Sequence, residues 1–278
     1  MMNYAIFGNP IKHSQSPQIH YYFSKMMNIK HHTYGSICSS PDNFRDELQK
    51  FFLNGGLGAN ITVPYKQIAY TLVNRLTDRA LLSGSVNTIK KLENNQLLGD
   101  NTDGIGILND LTRLQFLHKK DRILILGAGG AAHGIIYPLL HYYSCSIIVT
   151  NRTWYKAEEL INKFKPYGII SAKPLNQLEK TQFNLIINAT SCGIQGIAPN
   201  LPNKLINSYT RCYDMFYHQS KLTPFLQWCQ KQGSTKYVDG IGMLVSQAAY
   251  SFLLWHGVLP SIISIIKKIR YDVINYNV

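Results

Sequence analysis

The stretch ILILGAGGAAHG, residues 123–134, runs an apolar strand directly into closely spaced glycines. Gly127, Gly129 and Ala132 match the pattern G-x-G-x-x-G/A in the context that this pattern requires, after a strand and before a helix. Gly127 permits a tight turn, Gly129 lets the backbone approach a pyrophosphate, and Ala132 allows close packing of the helix, whose N-terminus attracts the anion. The stretch therefore predicts a dinucleotide-binding βαβ unit. The alternative is a glycine turn that serves packing alone.

The end of the following strand indicates which dinucleotide binds. An NAD site normally places Asp or Glu about 20 residues further on, where the carboxylate accepts from the ribose hydroxyl. The sequence here is TNRTWYKAEEL, with Asn151, Arg152, Thr153 and Lys156 in place of that acid. Arg152 and Lys156 attract a 2′-phosphate, and Thr153 offers a hydroxyl while capping the next helix. NADP(H) is therefore predicted, and the alternative is that these residues are solvated at a helix start.

Strands alternate with helices along most of the chain, which predicts βαβ units and largely parallel sheets. The first hundred residues predict strands at 4–8, 32–37 and 57–63, helices at 17–27 and 42–52, and an edge hairpin of 86–92 and 96–98. A second α/β unit begins at Asp121, with predicted strands at 123–126, 147–150, 185–188 and 212–215. The stretches GDNTDGIG and VDGIG flank this second unit, so we expect it to be inserted into the first.

The predicted fold class is α/β, with a Rossmann-type doubly wound parallel NADP-binding domain, an α/β substrate domain and a cleft between them. A chain of 278 residues is long enough for two such domains. The substrate domain is expected at residues 1–102 and 240–278, and the NADP-binding domain at residues 103–239.

The net charge of +13 and the pI near 9.4 raise the question of nucleic-acid binding. The basic residues are scattered, however, and the densest clusters are pairs such as Lys90-Lys91 and Lys119-Lys120. No nucleic-acid-binding module is recognisable in the sequence. We therefore expect no nucleic-acid partner, and a general basic bias would still attract anionic small molecules.

The cysteine pattern indicates a reducing, cytoplasmic environment. The five cysteines are widely spaced and never form a CxxC pair, so neither a disulfide framework nor a cysteine metal site is expected. The amino terminus has no basic region followed by an apolar run, so no export signal is expected. Residues 240–266 lack charged side chains, but Pro260 favours a boundary between two core helices over a membrane span. No metal is expected, because metal-ligand spacing is absent from His13, His31, His32 and His256.

Further polar residues lie in stretches where strands are predicted to meet helices. They are Ser14, Ser16, Asn60, Thr62, Lys66, Asn87 and Asp103. Ligands bind beyond the carboxyl ends of strands in a doubly wound fold. The set suits a small polyhydroxylated acid, with hydroxyls for a carboxylate, Asn and Asp for ring hydroxyls, and a lysine for proton transfer. Each residue taken singly also has a structural alternative. The two serines could belong to a helix-capping loop, Lys66 could be a surface lysine, and Asp103 could be a helix cap.

Nine stretches follow one another from near residue 6 to near residue 257: FGNPIKHSQSPQIH, GANITVPYKQIA, GSVNTI, GDNTDGIG, GAGGAAHG, NRTWYKA, NATSCGI, YDMFY and GIGMLVSQAAYSFLLWHG. In type and order they resemble the shikimate dehydrogenase family. The resemblance implies an oxidoreductase that catalyses the reversible, NADPH-dependent reduction of 3-dehydroshikimate to shikimate. That reaction is a step towards chorismate and the aromatic amino acids.

The resemblance also implies roles for individual residues. Lys66 and Asp103 match the family's catalytic pair, and which of the two donates the proton stays open. The implied substrate contacts are Ser14, Ser16, Asn60, Thr62, Lys66, Asn87, Asp103, Tyr217 and Gln247. The implied cofactor contacts are Gly127, Ala128, Gly129, Gly130, Ala131, Asn151, Arg152, Thr153, Lys156, Thr190, Met215, Gly240 and Met243. His133 stands where an arginine is usual, which weakens one phosphate contact or makes it pH-dependent.

Three other functions fit parts of the sequence. A quinate/shikimate dehydrogenase of the same family would often use NAD, and the pair Arg152-Thr153 argues against that preference. A non-catalytic NADP(H)-binding sensor would need neither Lys66 nor Asp103. A basic RNA-binding protein would show a steep dependence of affinity on salt. A monomer and a homodimer are both compatible with the sequence.

Overall fold

The computed structural model describes residues 3–178, 181–218 and 220–275, with the side chains of 271–275 left aside. The strands are β1 Tyr4–Gly8, β2 Tyr34–Cys38, β3 Gly58–Ile61, β4 Arg75–Leu76, β5 Thr88–Lys91, β6 Leu97–Asp100, β7 Arg122–Leu126, β8 Ser146–Thr150, β9 Ile170–Ala172, β10 Leu185–Asn188, β11 Arg211–Asp214 and β12 Lys236–Asp239. The α-helices are α1 Ser16–Met26, α2 Phe44–Leu53, α3 Lys66–Tyr70, α4 Asp78–Ser83, α5 Asp103–Arg113, α6 Gly130–Tyr143, α7 Trp154–Phe164, α8 Pro224–Lys231, α9 Ile241–His256 and α10 Ile262–Asn275.

The chain folds into two compact units. The first comprises Met1–Gly106 and Leu244–Ile269, and the second comprises Ile107–Met243 and Arg270–Val278. The predicted α/β fold class with parallel-rich sheets is confirmed. The domain bounds expected from the sequence, 102/103 and 239/240, lie four residues before the first two divisions. The chain also divides after Ile269, within the stretch 240–278 that was expected to belong to the first unit.

The first unit is built on a six-stranded mixed sheet in the order β2-β1-β3-β5-β6-β4. Strand β1 pairs in parallel with β2 and β3, whereas β5 runs antiparallel to β3 and β6. The predicted hairpin is therefore confirmed as β5 and β6. Its predicted place at the sheet edge is wrong, because β4 pairs with β6 beyond it. A strand of two residues carries too little apolar pattern to be recognised in the sequence.

The core of the first unit shows why β1 and α2 form where they do. Ala5 and Phe7 alternate along β1 and contribute to one buried cluster. Phe44, Leu48 and Phe52 join the same cluster from α2. Their spacing of four residues places the three side chains on one face of the helix, which the sheet covers.

The second unit contains a six-stranded parallel sheet in the order β12-β11-β10-β7-β8-β9. This order is the doubly wound arrangement, in which the chain reverses direction across the sheet between β7 and β10. Because all strands are parallel, their carboxyl ends lie along one edge. That edge is the ligand-binding edge of such sheets.

Strand β7 is buried on both sides, which explains its continuous apolar sequence. Ile123 and Ile125 belong to one buried cluster, whereas Leu124 and Leu126 belong to another. Successive side chains of a strand point to opposite faces of the sheet. A central strand covered on both faces therefore needs an apolar residue at every position.

The uncharged stretch 240–266 contains all of α9 and the beginning of α10. Pro260 lies between the two helices, as the sequence predicts. Among the described helices, none is both long enough and apolar enough to cross a membrane.

Candidate active site

An ion pair between Lys66 and Asp103 forms the centre of the polar cluster in the first unit. Lys66 is the first residue of α3 and Asp103 the first of α5. The Lys66 Nζ lies 2.6 Å from Asp103 Oδ2, and the two side chains are 13% and 4% exposed. Asn87 Nδ2 donates to the other carboxylate oxygen of Asp103 at 2.9 Å. The pair is thus held from both sides while the amine keeps some access to solvent.

Asn87 connects the ion pair to helix α9. Its Oδ1 accepts from the backbone N–H of Thr102 at 2.8 Å, which anchors the turn before Asp103. Its Nδ2 lies 2.9 Å from Thr102 Oγ1 and 3.3 Å from Gln247 Oε1. Gln247, half-buried on α9, therefore joins the same network as the catalytic pair predicted from the sequence.

Asn60, at the carboxyl-terminal half of β3, is enclosed by protein partners. Its Nδ2 lies 3.2 Å from the carbonyl of Asn87, 3.1 Å from Thr88 Oγ1 and 3.0 Å from Ser251 Oγ. Its Oδ1 accepts from the hydroxyl of Tyr34 at 2.7 Å. The structure thus gathers Asn60, Asn87, Asp103, Lys66 and Gln247 into one hydrogen-bonded network.

Ser14 and Ser16 lie at the start of α1, after β1. The backbone N–H of Ser16 donates to Ser14 Oγ at 3.3 Å, so Ser14 satisfies an amide at the helix start. Helix capping and carboxylate binding are compatible at such a position, because helix N-termini favour anions. Of the other predicted substrate contacts, Thr62 follows β3, and Tyr217 belongs to the second unit, in the chain after β11.

Four polar partners of the network were missed by sequence reasoning: Tyr34, Thr88, Thr102 and Ser251. Thr88, Thr102 and Ser251 are fully buried, and Tyr34 lies on an edge strand. Thr88 and Thr102 lie within the stretches GSVNTI and GDNTDGIG, directly beside Asn87 and Asp103. Their place in the sequence could therefore have indicated that they belong to the site. Ser251 is four residues after Gln247, one helical turn further on the same face of α9. No sequence pattern around Tyr34 indicates that it belongs to the site.

The glycine loop of the second unit fits a phosphate-bearing ligand. Gly127 follows β7 with a φ of +102°, and Gly129 precedes α6 in an extended conformation. A Cβ at Gly129 would meet no heavy atom within 4 Å, so space remains beside the backbone there. Ala128, Gly130 and Ala131 complete the turn and the start of α6. The amides of that helix N-terminus are available to an anion, as the dinucleotide pattern requires.

The residues after β8 also fit a phosphorylated ribose. Arg152 and Lys156 are exposed, and the first turn of α7 contains no acidic residue. Asn151 Nδ2 donates to the carbonyl of Thr153 at 2.8 Å, which closes the turn. Thr153 is the N-cap residue of α7, but its side chain makes no capping hydrogen bond. The expectation that its hydroxyl caps the helix is therefore wrong.

The remaining predicted cofactor residues follow β10, β11 and β12 at the same sheet edge. Thr190 donates its backbone N–H and hydroxyl to Asn188 Oδ1, at 3.1 and 2.7 Å. A Cβ at Gly240 would lie 2.4 Å from the carbonyl oxygen of Met215, so these two residues pack backbone to backbone. Met243 is buried in the core of the second unit.

A buried carboxylate fixes these loops. Asp214 accepts from Asn188 Nδ2 at 2.9 Å, from the N–H of Phe216 at 3.1 Å and from the hydroxyl of Thr223. Burial raises the pKa of Asp214 to about 7, against the opposing effect of these hydrogen bonds. Asp214 thereby joins the ends of β10 and β11 to the start of α8.

Comparison with known proteins identifies the family. Residues 6–89 match the shikimate dehydrogenase substrate binding domain, and residues 110–198 match the shikimate / quinate 5-dehydrogenase domain. Among solved structures, the chain is similar to an Ael1 enzyme from Pseudomonas putida, with 35% identity over 97% of this chain and 98% of that one, and a TM-score of 0.86. It is also similar to shikimate dehydrogenase from Aquifex aeolicus, with 30% identity over 97% of both chains and a TM-score of 0.84.

A third similar structure contains ligands. It is shikimate 5-dehydrogenase from Thermus thermophilus in complex with NADP(H) and shikimate, with 28% identity over 98% of this chain and 100% of that one, and a TM-score of 0.84. Two family domains and relatives matched over nearly their whole length agree with the order of motifs and with the geometry above. The chain belongs to the shikimate dehydrogenase family, whose members are oxidoreductases.

Proposed function

We propose that this chain catalyses the NADPH-dependent, reversible reduction of 3-dehydroshikimate to shikimate, in the route to chorismate and the aromatic amino acids. The observation that carries the proposal is the ion pair of Lys66 and Asp103, 2.6 Å apart within a network of amide side chains. A partly exposed ammonium held by a buried carboxylate suits the reduction of a ketone on a hydroxylated ring. The family and the fit of the glycine loop to a dinucleotide support the same reaction.

The chemistry assigned to the pair follows from charge. NADPH, when bound, supplies the hydride that reduces the carbonyl carbon. Negative charge then develops on the carbonyl oxygen, which a nearby ammonium stabilises electrostatically. The Lys66–Asp103 pair as a unit delivers the proton that completes the alcohol. Asp103 also holds the lysine in place and accepts from a ring hydroxyl.

Substrate recognition is assigned to the hydroxyls and amides around this pair. Ser14 and Ser16 bind the carboxylate at the start of α1. The ring hydroxyls are bound by the remaining polar residues of the first unit, Thr62, Asn87, Gln247 and Asn60. Asn60 contributes its Oδ1 as an acceptor, because its amide hydrogens are used inside the protein. For the cofactor, Arg152 and Lys156 bind the 2′-phosphate that distinguishes NADPH from NADH.

The decisive assay follows NADPH absorbance with 3-dehydroshikimate in the direction of reduction. We expect substrate-dependent oxidation of NADPH and a much lower kcat/KM with NADH. Absence of turnover with a chain that binds NADPH would favour the sensor function instead. A parallel assay with quinate and NAD tests the second activity named in the family description, shikimate / quinate 5-dehydrogenase.

The catalytic role of Lys66 has a direct test. Lys66→Ala should lower kcat by about 100-fold or more, because a positioned acid–base group contributes about that much. The Kd for NADPH, measured by fluorescence, should stay near the parental value. Lys50→Ala, which removes an exposed lysine at the end of α2, is the matched control and should keep parental kcat. Near-parental turnover by Lys66→Ala would exclude the role.

We further propose that the enzyme works in the cytoplasm on a small molecule, without a nucleic-acid partner, as a monomer or homodimer. All five cysteines lie within the described residues and are thiols, a pattern typical of reducing compartments. Light scattering of the purified protein would give its oligomeric state. A mobility-shift assay with RNA at low salt would exclude or establish nucleic-acid binding.

A further inference from the structure

The hydroxyl of Tyr34 joins two residues of the candidate substrate site. It donates to Asn60 Oδ1 at 2.7 Å. Burial raises the pKa of Tyr34 well above its ordinary value of 10.0, and a hydrogen bond with the Ser16 side chain acts in the opposite direction. The phenol therefore keeps its proton at physiological pH. Its single hydrogen goes to Asn60 and its oxygen accepts from Ser16.

The surrounding hydrogen bonds determine which way the Asn60 amide faces. Three acceptors surround Asn60 Nδ2: the carbonyl of Asn87 and the hydroxyls of Thr88 and Ser251, all within 3.2 Å. The two amide hydrogens are thus used inside the protein. A flipped amide would turn its nitrogen towards Tyr34 and its oxygen towards the carbonyl of Asn87, which cannot donate. The carbonyl of Asn87 therefore selects the observed orientation, and the O–H of Tyr34 holds the Asn60 oxygen in place.

Packing holds the Tyr34 ring independently of these hydrogen bonds. The ring stacks on His20, with centroids 4.2 Å apart and planes 7° from parallel. Trp255 contacts the other members of this aromatic cluster and lies 6.2 Å from Tyr34 between centroids. Removing the hydroxyl alone leaves all of this ring packing in place, so the aromatic cluster does not depend on it.

We propose that Tyr34 is a positioning residue for substrate binding, which fixes Ser16 Oγ and the Asn60 amide relative to one another. The inference rests on the proposed function, because it assigns the carboxylate to Ser16 and a ring hydroxyl to the region of Asn60. In the free enzyme Tyr34 holds the Ser16 hydroxyl. Rotation of that O–H bond redirects it to the substrate carboxylate without moving the oxygen. Tyr34 thereby prepares the two contacts for one rigid hydroxylated acid.

The test compares Tyr34→Phe with Tyr4→Phe. Tyr4 belongs to the same aromatic cluster, stacking on His32 with centroids 4.4 Å apart, and lies outside the hydrogen-bonded network. For Tyr34→Phe we expect the Kd for shikimate, measured by calorimetry, and the KM for 3-dehydroshikimate to rise about tenfold, because Ser16 and Asn60 must then be ordered when the substrate binds. The kcat and the KM for NADPH should stay near the parental values, whereas the Tm should fall by a few degrees because the buried Asn60 oxygen loses its donor. Tyr4→Phe should leave all five quantities unchanged.

A double-mutant cycle distinguishes a positioning role of Tyr34 from a general loss of rigidity in the protein. Ser16→Ala should weaken shikimate binding, and adding Tyr34→Phe to it should cost less than Tyr34→Phe costs alone, because the two residues act together. A parental Kd in Tyr34→Phe, fully additive effects of the two substitutions, or a fall in kcat as large as the rise in KM would each overturn the inference.

The calorimetric measurement also keeps the two proposals distinguishable. A parental protein that binds shikimate without oxidising NADPH contradicts the proposed reaction, while the Kd values still decide the role of Tyr34. A parental protein that reduces 3-dehydroshikimate, combined with an unaffected Tyr34→Phe variant, contradicts the inference alone. A parental protein that neither binds shikimate nor reduces 3-dehydroshikimate overturns both.

Discussion

Two glycines of the loop after β7 have different physical roles. Gly127 has a φ of +102°, and a Cβ there would lie 3.0 Å from the carbonyl oxygen of Ala189. Gly129 has a φ of −88°, which any residue adopts, and a Cβ there would meet nothing within 4 Å. The first glycine is needed by the fold, whereas the second leaves open space beside the backbone.

This difference predicts opposite outcomes for two alanine variants. Gly129→Ala should keep its Tm within about 2 °C but weaken NADPH binding about tenfold or more, because the methyl group blocks approach to the backbone. Gly127→Ala should lose about 1–3 kcal/mol of unfolding free energy from backbone strain alone. Thermal melting and fluorescence titration with NADPH measure the two effects. Parental affinity in Gly129→Ala would contradict the placement of the pyrophosphate.

At the scale of elements, the ends of β10 and β11 depend on Asp214. Its carboxyl is fully buried and accepts hydrogen bonds from three directions, so the loops carrying Thr190 and Met215 have fixed starting points. The energetic consequence depends on pH, because burial of this carboxyl favours its neutral form.

The pH effect of Asp214 has a definite sign. Its pKa is raised from 3.8 to about 7, so the neutral carboxyl stabilises the fold below pH 3.8 and this stabilisation is lost as pH rises to 7. Between pH 5 and 7.5 we expect this group to lower the unfolding free energy by about 2 kcal/mol. Asp214→Asn should remove that part of the pH dependence in urea denaturation. Asp42→Asn, an exposed control, should keep the parental slope, and equal slopes in both variants would refute the assignment.

The elements also show how much of the fold and of the candidate site can be predicted from the sequence. The bounds of β7 and β10 were predicted within one residue, because a short continuous apolar run is typical of a strand that is buried on both faces. Strands β4, β9 and β12 were missed, since they are short edge strands whose pairing comes from neighbours rather than from their own pattern. In the candidate site, residues within glycine-rich or polar stretches were recognisable. Tyr34 was not, because a tyrosine in a strand predicts packing and its partner Asn60 is brought near only by the sheet.

At the scale of the whole molecule, stability in acid depends on a buried histidine cluster in the first unit. His20 is fully buried, and His32 Nδ1 lies 2.9 Å from His256 Nε2. Burial lowers the pKa of all three imidazoles, that of His32 to about 3, and the positive charge of Lys90 adds to the effect at His256. The rings that face the cluster are Tyr4, Phe23, Tyr34, Phe252 and Trp255.

Acid should therefore destabilise the protein through these histidines. Their neutral forms stabilise the fold fully above pH 6.5, and this contribution is lost as pH falls towards the lowered pKa values. Each group contributes up to about 1.4 kcal/mol per pH unit. Between pH 7.5 and 5.5, His20→Phe should lose about 1 kcal/mol less unfolding free energy than the parent in chemical denaturation. His13→Phe, at an exposed position, should lose as much as the parent, and an unchanged loss in His20→Phe would contradict the cluster's role.

The network around Asn60 and Asn87 also bears on how the protein is made. Asn60 bonds to Ser251 across 191 residues of sequence, and Asn87 bonds to Gln247 across 160. During translation the strands carrying both asparagines leave the ribosome long before α9 does. Their amides stay without these partners while the whole intervening α/β unit is synthesised. The network is therefore completed late, only after α9 has emerged and packed against residues made much earlier.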